Sequence, residues 1–114
     1  MRTIRFKDKY ETEYNIVFYK GRYMRGNGIY VCAYCEDEEY GGYSPYCDIT
    51  INLMKPIQDG NYAFLDTNNA DLELIDLMVE KGWIEKTGYF DFSGYCSYPL
   101  VKFTDEFLNE INEL

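Results

Sequence analysis

The sequence predicts an α+β domain: a largely antiparallel sheet of four to six strands with two helices on one face. Three observations predict it. Polar and apolar residues alternate at Thr3-Ile4-Arg5-Phe6-Lys7 and from Cys47 to Leu53, as in strands with one wet face. Leu74, Ile75, Leu77 and Met78 recur at helical spacing between Ala70 and Lys81. Phe107, Leu108, Ile111 and Leu114 repeat that stripe at the end of the chain.

The elements follow in order. After Thr3 to Lys7, the stretch Glu13 to Lys20 is rich in strand formers, with Tyr14, Ile16, Val17, Phe18 and Tyr19. Gly26-Asn27-Gly28 tolerates positive φ throughout and reads as a tight turn leading to a strand from Ile29 to Cys35, the two strands forming a hairpin. In the run Cys47 to Leu53, Cys47, Ile49, Ile51 and Leu53 face one way and Asp48, Thr50 and Asn52 the other; Pro56 ends the run. Asn61 to Leu65 is a short strand. Asp66-Thr67-Asn68-Asn69 offers N-caps for the first helix, whose ends carry Asp71, Glu73 and Lys81 as the helix dipole prefers. Gly82 is a stop signal. Gly88 to Pro99 reads as an aromatic, glycine-rich loop and Leu100 to Phe103 as a last strand. Thr104 caps the closing helix, with Asp105 and Glu106 in its first turn.

Composition narrows the function. The 114 residues suit one domain over 1–114, and 46% hydrophobic residues are enough for one core. The net charge is −9 and uneven: residues 1–25 hold seven basic and three acidic side chains, the rest four basic and seventeen acidic. Such a field repels nucleic acid and favours a basic partner. There is no histidine, which removes the usual general base and the commonest metal ligand. The expectation is therefore no enzyme and no cofactor. Residues 1–15 lack a signal-peptide core, and no stretch approaches the roughly 20 apolar residues of a membrane span. These features predict a cytoplasmic protein with reduced cysteines and no membrane partner.

Three groups of residues could carry chemistry. Cys32-Ala33-Tyr34-Cys35 has CxxC spacing, with Cys47 and Cys96 elsewhere. A zinc ribbon needs two such pairs, and an offset of three along a strand puts the thiols on opposite faces; no metal site is expected. The stretch Glu36-Asp37-Glu38-Glu39-Tyr40-Gly41-Gly42-Tyr43-Ser44-Pro45-Tyr46 reads as a long acidic loop between strands. It is either a solvated tip or a contact for a basic partner, with Tyr40, Tyr43 and Tyr46 as anchors and Asp48 beside it; the alternating ligands of a calcium loop are absent. The third group is Tyr89, Phe90, Phe92, Tyr95 and Tyr98. These rings either fold back over the sheet or line a small-ligand pocket or a binding patch.

Five segments carry a family resemblance: Tyr10-Glu11-Thr12-Glu13-Tyr14, Cys35-Glu36-Asp37-Glu38-Glu39-Tyr40, Asp48-Ile49-Thr50-Ile51-Asn52-Leu53, Ala63-Phe64-Leu65-Asp66-Thr67-Asn68-Asn69 and Tyr98-Pro99-Leu100-Val101-Lys102-Phe103. Together they resemble the bacterial family catalogued as domain of unknown function 4313, small acidic proteins of gut Firmicutes and their mobile elements or phages. That resemblance brings no catalytic residues. It implies an accessory or anti-defence factor. The expected function is a non-enzymatic interaction module that inhibits a host nucleic-acid-binding defence protein. Glu36, Asp37, Glu38, Glu39 and Asp48 would stand in for phosphates in the basic groove of that protein, as a DNA mimic does. The alternative is a small-ligand domain built on the aromatic loop and sheet.

Overall fold

The computed structural model describes residues 2–24, 28–37, 39, 41–55, 57 and 60–114. The elements run β1 (Thr3–Lys7), β2 (Glu13–Arg22), β3 (Ile29–Asp37), β4 (Gly42–Asp48), β5 (Thr50–Ile51), β6 (Tyr62–Leu65), α1 (Leu72–Glu80), β7 (Ile84–Ser93), β8 (Cys96–Phe103), α2 (Asp105–Glu110) and β9 (Asn112–Glu113). The α+β class and the antiparallel pairing hold. The strands, however, divide into two sheets. The first has the order β1-β2-β3-β4, with β9 added parallel to β2; the second has the order β5-β6-β8-β7.

The predicted run from Cys47 to Leu53 is where the sheets part. β4 ends at Asp48 in the first sheet, and β5 begins at Thr50 in the second. Between them Ile49 is fully buried. Its N–H donates to the Val31 carbonyl of β3, and its own carbonyl accepts from the Asp66 N–H beyond β6. Thr50, expected on the wet face, is buried instead. Its hydroxyl oxygen accepts from the Val31 N–H at 3.1 Å and lies 2.8 Å from the Tyr23 hydroxyl. The hydroxyl thus replaces the ladder partner that Val31 loses when the chain leaves the sheet.

The core lies among the two sheets and both helices. Phe18 of β2, Trp83, Phe103 of β8 and Phe107 of α2 meet there, with ring centroids 5.2 to 6.0 Å apart. Arg2 lies over the Trp83 ring at 4.5 Å and pairs with Glu110. Leu74, Ile75 and Met78 are the buried face of α1. Asp71, not a residue of 66–69, caps this helix by accepting from the Glu73 and Leu74 N–H groups. Asp66 to Asn69 form their own turn, closed by the Asp66 carbonyl. At the other end Gly82 takes φ +77, and the Gly82 and Trp83 N–H groups reach Val79 and Met78, which satisfies two orphan carbonyls.

Thr104 caps α2 as predicted, accepting from Phe107 at 3.2 Å. The closing stripe is shorter than predicted. Ile111 is extended and buried, and the chain then pairs with β2, which leaves Leu114 exposed. The hairpin of β2 and β3 forms with Arg22 opposite Ile29. Its turn residues Gly26 and Asn27 lie outside the described residues, as does Pro56. Among the described residues, no helix is long and apolar enough to cross a membrane.

Two substitutions test this architecture. Thr50→Val keeps the shape but strands the buried Val31 N–H, so the denaturant midpoint should fall by an amount equivalent to about 1–3 kcal/mol. Thr104→Ala should cost about 1 kcal/mol in the same measurement.

Candidate interaction surfaces

The acidic stretch is mostly strand. β3 continues to Asp37 and β4 starts at Gly42, so the predicted eleven-residue loop shrinks to a short turn. Asp37 builds that turn. Its carboxylate accepts from the Glu39 N–H at 3.1 Å, and its carbonyl accepts from Gly41, which sits at φ +70. Glu36 is exposed and accepts from the Asn15 amide at 2.9 Å. Opposite it stands Tyr43, 48% exposed. Glu39 is exposed in the turn. Glu38 and Tyr40 lie outside the described residues. Tyr46 does not stand free as an anchor. Its ring packs against Tyr14 and Phe6, and its hydroxyl donates to Asp71.

Asp48 lies on the outer face of the first sheet, exposed, and accepts from the Tyr30 hydroxyl at 2.7 Å. This face was only partly visible in the sequence. Tyr30, Cys32 and Tyr34 alternate along β3 with the core residues Ile29, Val31 and Ala33. That alternation, in a strand polar and aromatic on one side, was the available signal. The CxxC thiols separate as their offset requires, Cys32 on this outer face and Cys35 against the core. All four cysteines are free, and among the described residues no group of three or more cysteines or carboxylates is placed to hold a metal ion.

The predicted aromatic loop is instead a hairpin. β7 and β8 pair from Phe90 opposite Pro99 to Ser93 opposite Cys96. Gly94, at φ +63, takes the first central position of a two-residue turn, the place where a type II′ turn needs glycine. Gly88, at φ +85, lies in a bulge between Lys86 and Phe90. Thr87 pins the bulge: its hydroxyl donates to the Leu100 carbonyl at 2.7 Å and accepts from the Tyr89 N–H. Alternation is lost across a bulge, so the sequence hides the strand. β6 pairs with β8 only as far as Leu100. Pro99, which has no N–H, stands just past that limit. Beyond it the hairpin is a two-stranded arm.

The arm has unlike faces. Asp91 and Tyr98 are cross-strand partners; Lys55 pairs with Asp91 at 3.8 Å, and Tyr98 is buried. Tyr98 therefore lines no open site. On the other face Phe90 and Phe92 are 60% and 66% exposed. Tyr89 in the bulge and Tyr95 in the turn are exposed as well. These four rings stand out from a ribbon.

Several tyrosines are held neutral. Burial pushes Tyr23 up to about 12, against the lowering effect of its hydrogen bond with Thr50. Burial also raises Tyr30 and Tyr46, helped by the hydrogen bonds to Asp48 and Asp71. Phenols raised in the folded state stay protonated while those of the unfolded chain ionise near pH 10, at about their ordinary value. Their stabilisation is therefore complete below about pH 10 and is lost as the pH climbs towards the folded values. Phenolate absorbance should rise in two phases, the second coincident with loss of the circular dichroism of the fold. Tyr46→Phe should make that unfolding less steep in pH. A single phase with the fold intact would contradict the burial of these hydroxyls.

No curated protein and no solved structure matches this chain. The profile of the family described as domain of unknown function, DUF4313, matches residues 20–113. That span runs from the end of β2 to β9 and takes in both helices and the arm, leaving out β1 and most of β2; the chain belongs to the DUF4313 family.

Proposed function

We propose that this domain is a non-enzymatic interaction module that grips a basic protein partner through the arm of β7 and β8. The bare face of the arm carries this reading. Phe90 and Phe92 lie two residues apart on one side of a ribbon, exposed, with Tyr89 and Tyr95 exposed beside them. Fully burying a phenylalanine is worth about 1.5–3 kcal/mol, and the folded domain forgoes most of that at both positions. A partner that covers the rings recovers it. Aromatic anchors at the centre of an interface supply affinity, and charge supplies speed. The net charge of −9 and the exposed Glu36, Glu39 and Asp48 suit a basic partner.

The finer form of the proposal is competition for the basic groove of a nucleic-acid-binding defence protein of the host. The acidic balance of residues 26–114 supports it, as do Glu36 and Asp48 on one sheet face. The exposure of Tyr89, Phe90, Phe92 and Tyr95 and the burial of Tyr98 favour a protein contact over the small-ligand reading.

The test begins with a partner recovered from the host, followed by rate measurements on the purified pair. Phe90→Ser combined with Phe92→Ser should weaken binding by about 2 kcal/mol per ring, roughly thirtyfold each, mainly through faster dissociation. The amide variants of Glu36, Asp37 and Glu39 should slow association and flatten its dependence on salt. An unchanged Kd in the double serine variant, with its fold intact, would remove the arm from the interface.

A further inference from the structure

A second surface lies on the outer face of the first sheet. Tyr30 and Tyr34 stand four residues apart on β3, about 13 Å along the strand, with Cys32 between them. Across the strand pair, Asp48 stands opposite Cys32 and Pro45 opposite Tyr34. These residues line an open groove of about 400 Å³. Its floor is the buried Cys32, whose thiol is pushed up first by burial and so adds no charge. Its walls are two half-buried tyrosine rings and a proline. Tyr34 is braced by Tyr19, with centroids 5.1 Å apart. Tyr30 is braced by its hydrogen bond to one oxygen of Asp48.

Among the described residues, no salt bridge compensates the charge of Asp48 in this groove. On the same face, among the described residues, Arg5 and Lys7 belong to β1, two strands away from β3. Tyrosine faces attract cations, and a carboxylate beside them fixes one in place. The fold already seats its own cations on rings elsewhere, with Arg2 over Trp83 at 4.5 Å and Lys102 over Tyr62 at 5.8 Å.

We propose that the groove between Tyr30 and Tyr34 receives an arginine side chain of a partner, its guanidinium stacked on the Tyr34 ring and hydrogen-bonded to Asp48. Arginine fits better than lysine because a flat guanidinium can lie against a ring and still direct an N–H in its own plane to a carboxylate. The groove is separate from the arm and does not depend on it.

The test is a titration of the isotope-labelled domain, followed by NMR, with Nα-acetyl-arginine methylamide and with its uncharged isostere Nα-acetyl-citrulline methylamide. The arginine compound should give saturable shifts clustered on Tyr30, Cys32, Tyr34 and Asp48, and the citrulline compound should bind at least about tenfold more weakly. Asp48→Asn and, separately, Tyr34→Leu should each weaken the arginine compound about tenfold, while Phe90→Ser with Phe92→Ser leaves it unchanged. Each variant is checked first for an unchanged backbone spectrum away from the groove. Equal binding of the two compounds, shifts spread over exposed carboxylates such as Glu39 and Asp76, or undiminished binding in both groove variants would overturn the site. None of those results bears on the arm.

Discussion

The hydroxyl of Thr50 sits where the chain changes sheets. A strand that leaves its ladder orphans a backbone N–H on its neighbour, and here that group belongs to Val31 in the buried centre of β3. An uncompensated donor there would cost a good part of a small domain's stability. Thr50 accepts it, while Ile49 donates to Val31 on one side and accepts from Asp66 on the other. Three residues thus serve two sheets. Phe18, Trp83, Phe103 and Phe107 pack against one another in the core that the two sheets share.

Once the sheets are joined at that corner, the surfaces follow from the period of the strands. Whatever alternates with the core residues of β3 must face outward, so burying Ile29, Val31 and Ala33 commits Tyr30, Cys32 and Tyr34 to the opposite face. The same rule acts on the arm. Val101 and Phe103 are buried on one face of β8, and Pro99 and the paired Phe90 continue that face past the end of β6, where no core remains to cover them. The exposed rings are the core face of a strand pair that outruns its core.

Much of this was legible from local chemistry. The Thr104 cap and the Gly82 stop each rest on interactions within a few residues, and short-range rules find them. The failures share a different cause. The period-two pattern of residues 47–53 is the same whether one strand stays in a sheet or passes to another, because pairing partners are distant in sequence. The β7 strand was hidden by a bulge that breaks its alternation at Gly88. The acidic strand ends were hidden by composition, since carboxylates disfavour strands on average yet are tolerated where the face is wet. Of the acidic group, Glu36 and Asp48 share a face with Tyr43, whereas Asp37 shapes the turn and Tyr46 turns to the core. Tyrosine content alone could not tell these roles apart, because a ring with a polar tip suits an edge of the core as well as a binding face.

The division of aromatic residues between the two surfaces has its own logic. The groove uses partly buried tyrosines, Tyr30 held by its hydrogen bond to Asp48 and Tyr34 by the Tyr19 ring, so little conformational freedom would remain to be lost on binding the proposed cation. The arm uses phenylalanines, which have no polar tip to anchor them and gain most from being covered. A two-stranded ribbon is marginal by itself, and this one is held by Thr87 at its bulge, by Lys55 against Asp91, and by the buried Tyr98 on its covered face. Those three supports all lie on the side away from Phe90 and Phe92 or at the base. The supports therefore order the arm without covering the rings, so the proposed partner would meet a surface whose ordering cost is met in folding. In the proposed complex, charge would govern how fast the encounter occurs and apolar area how long it lasts, the two being set by residues on different sheets.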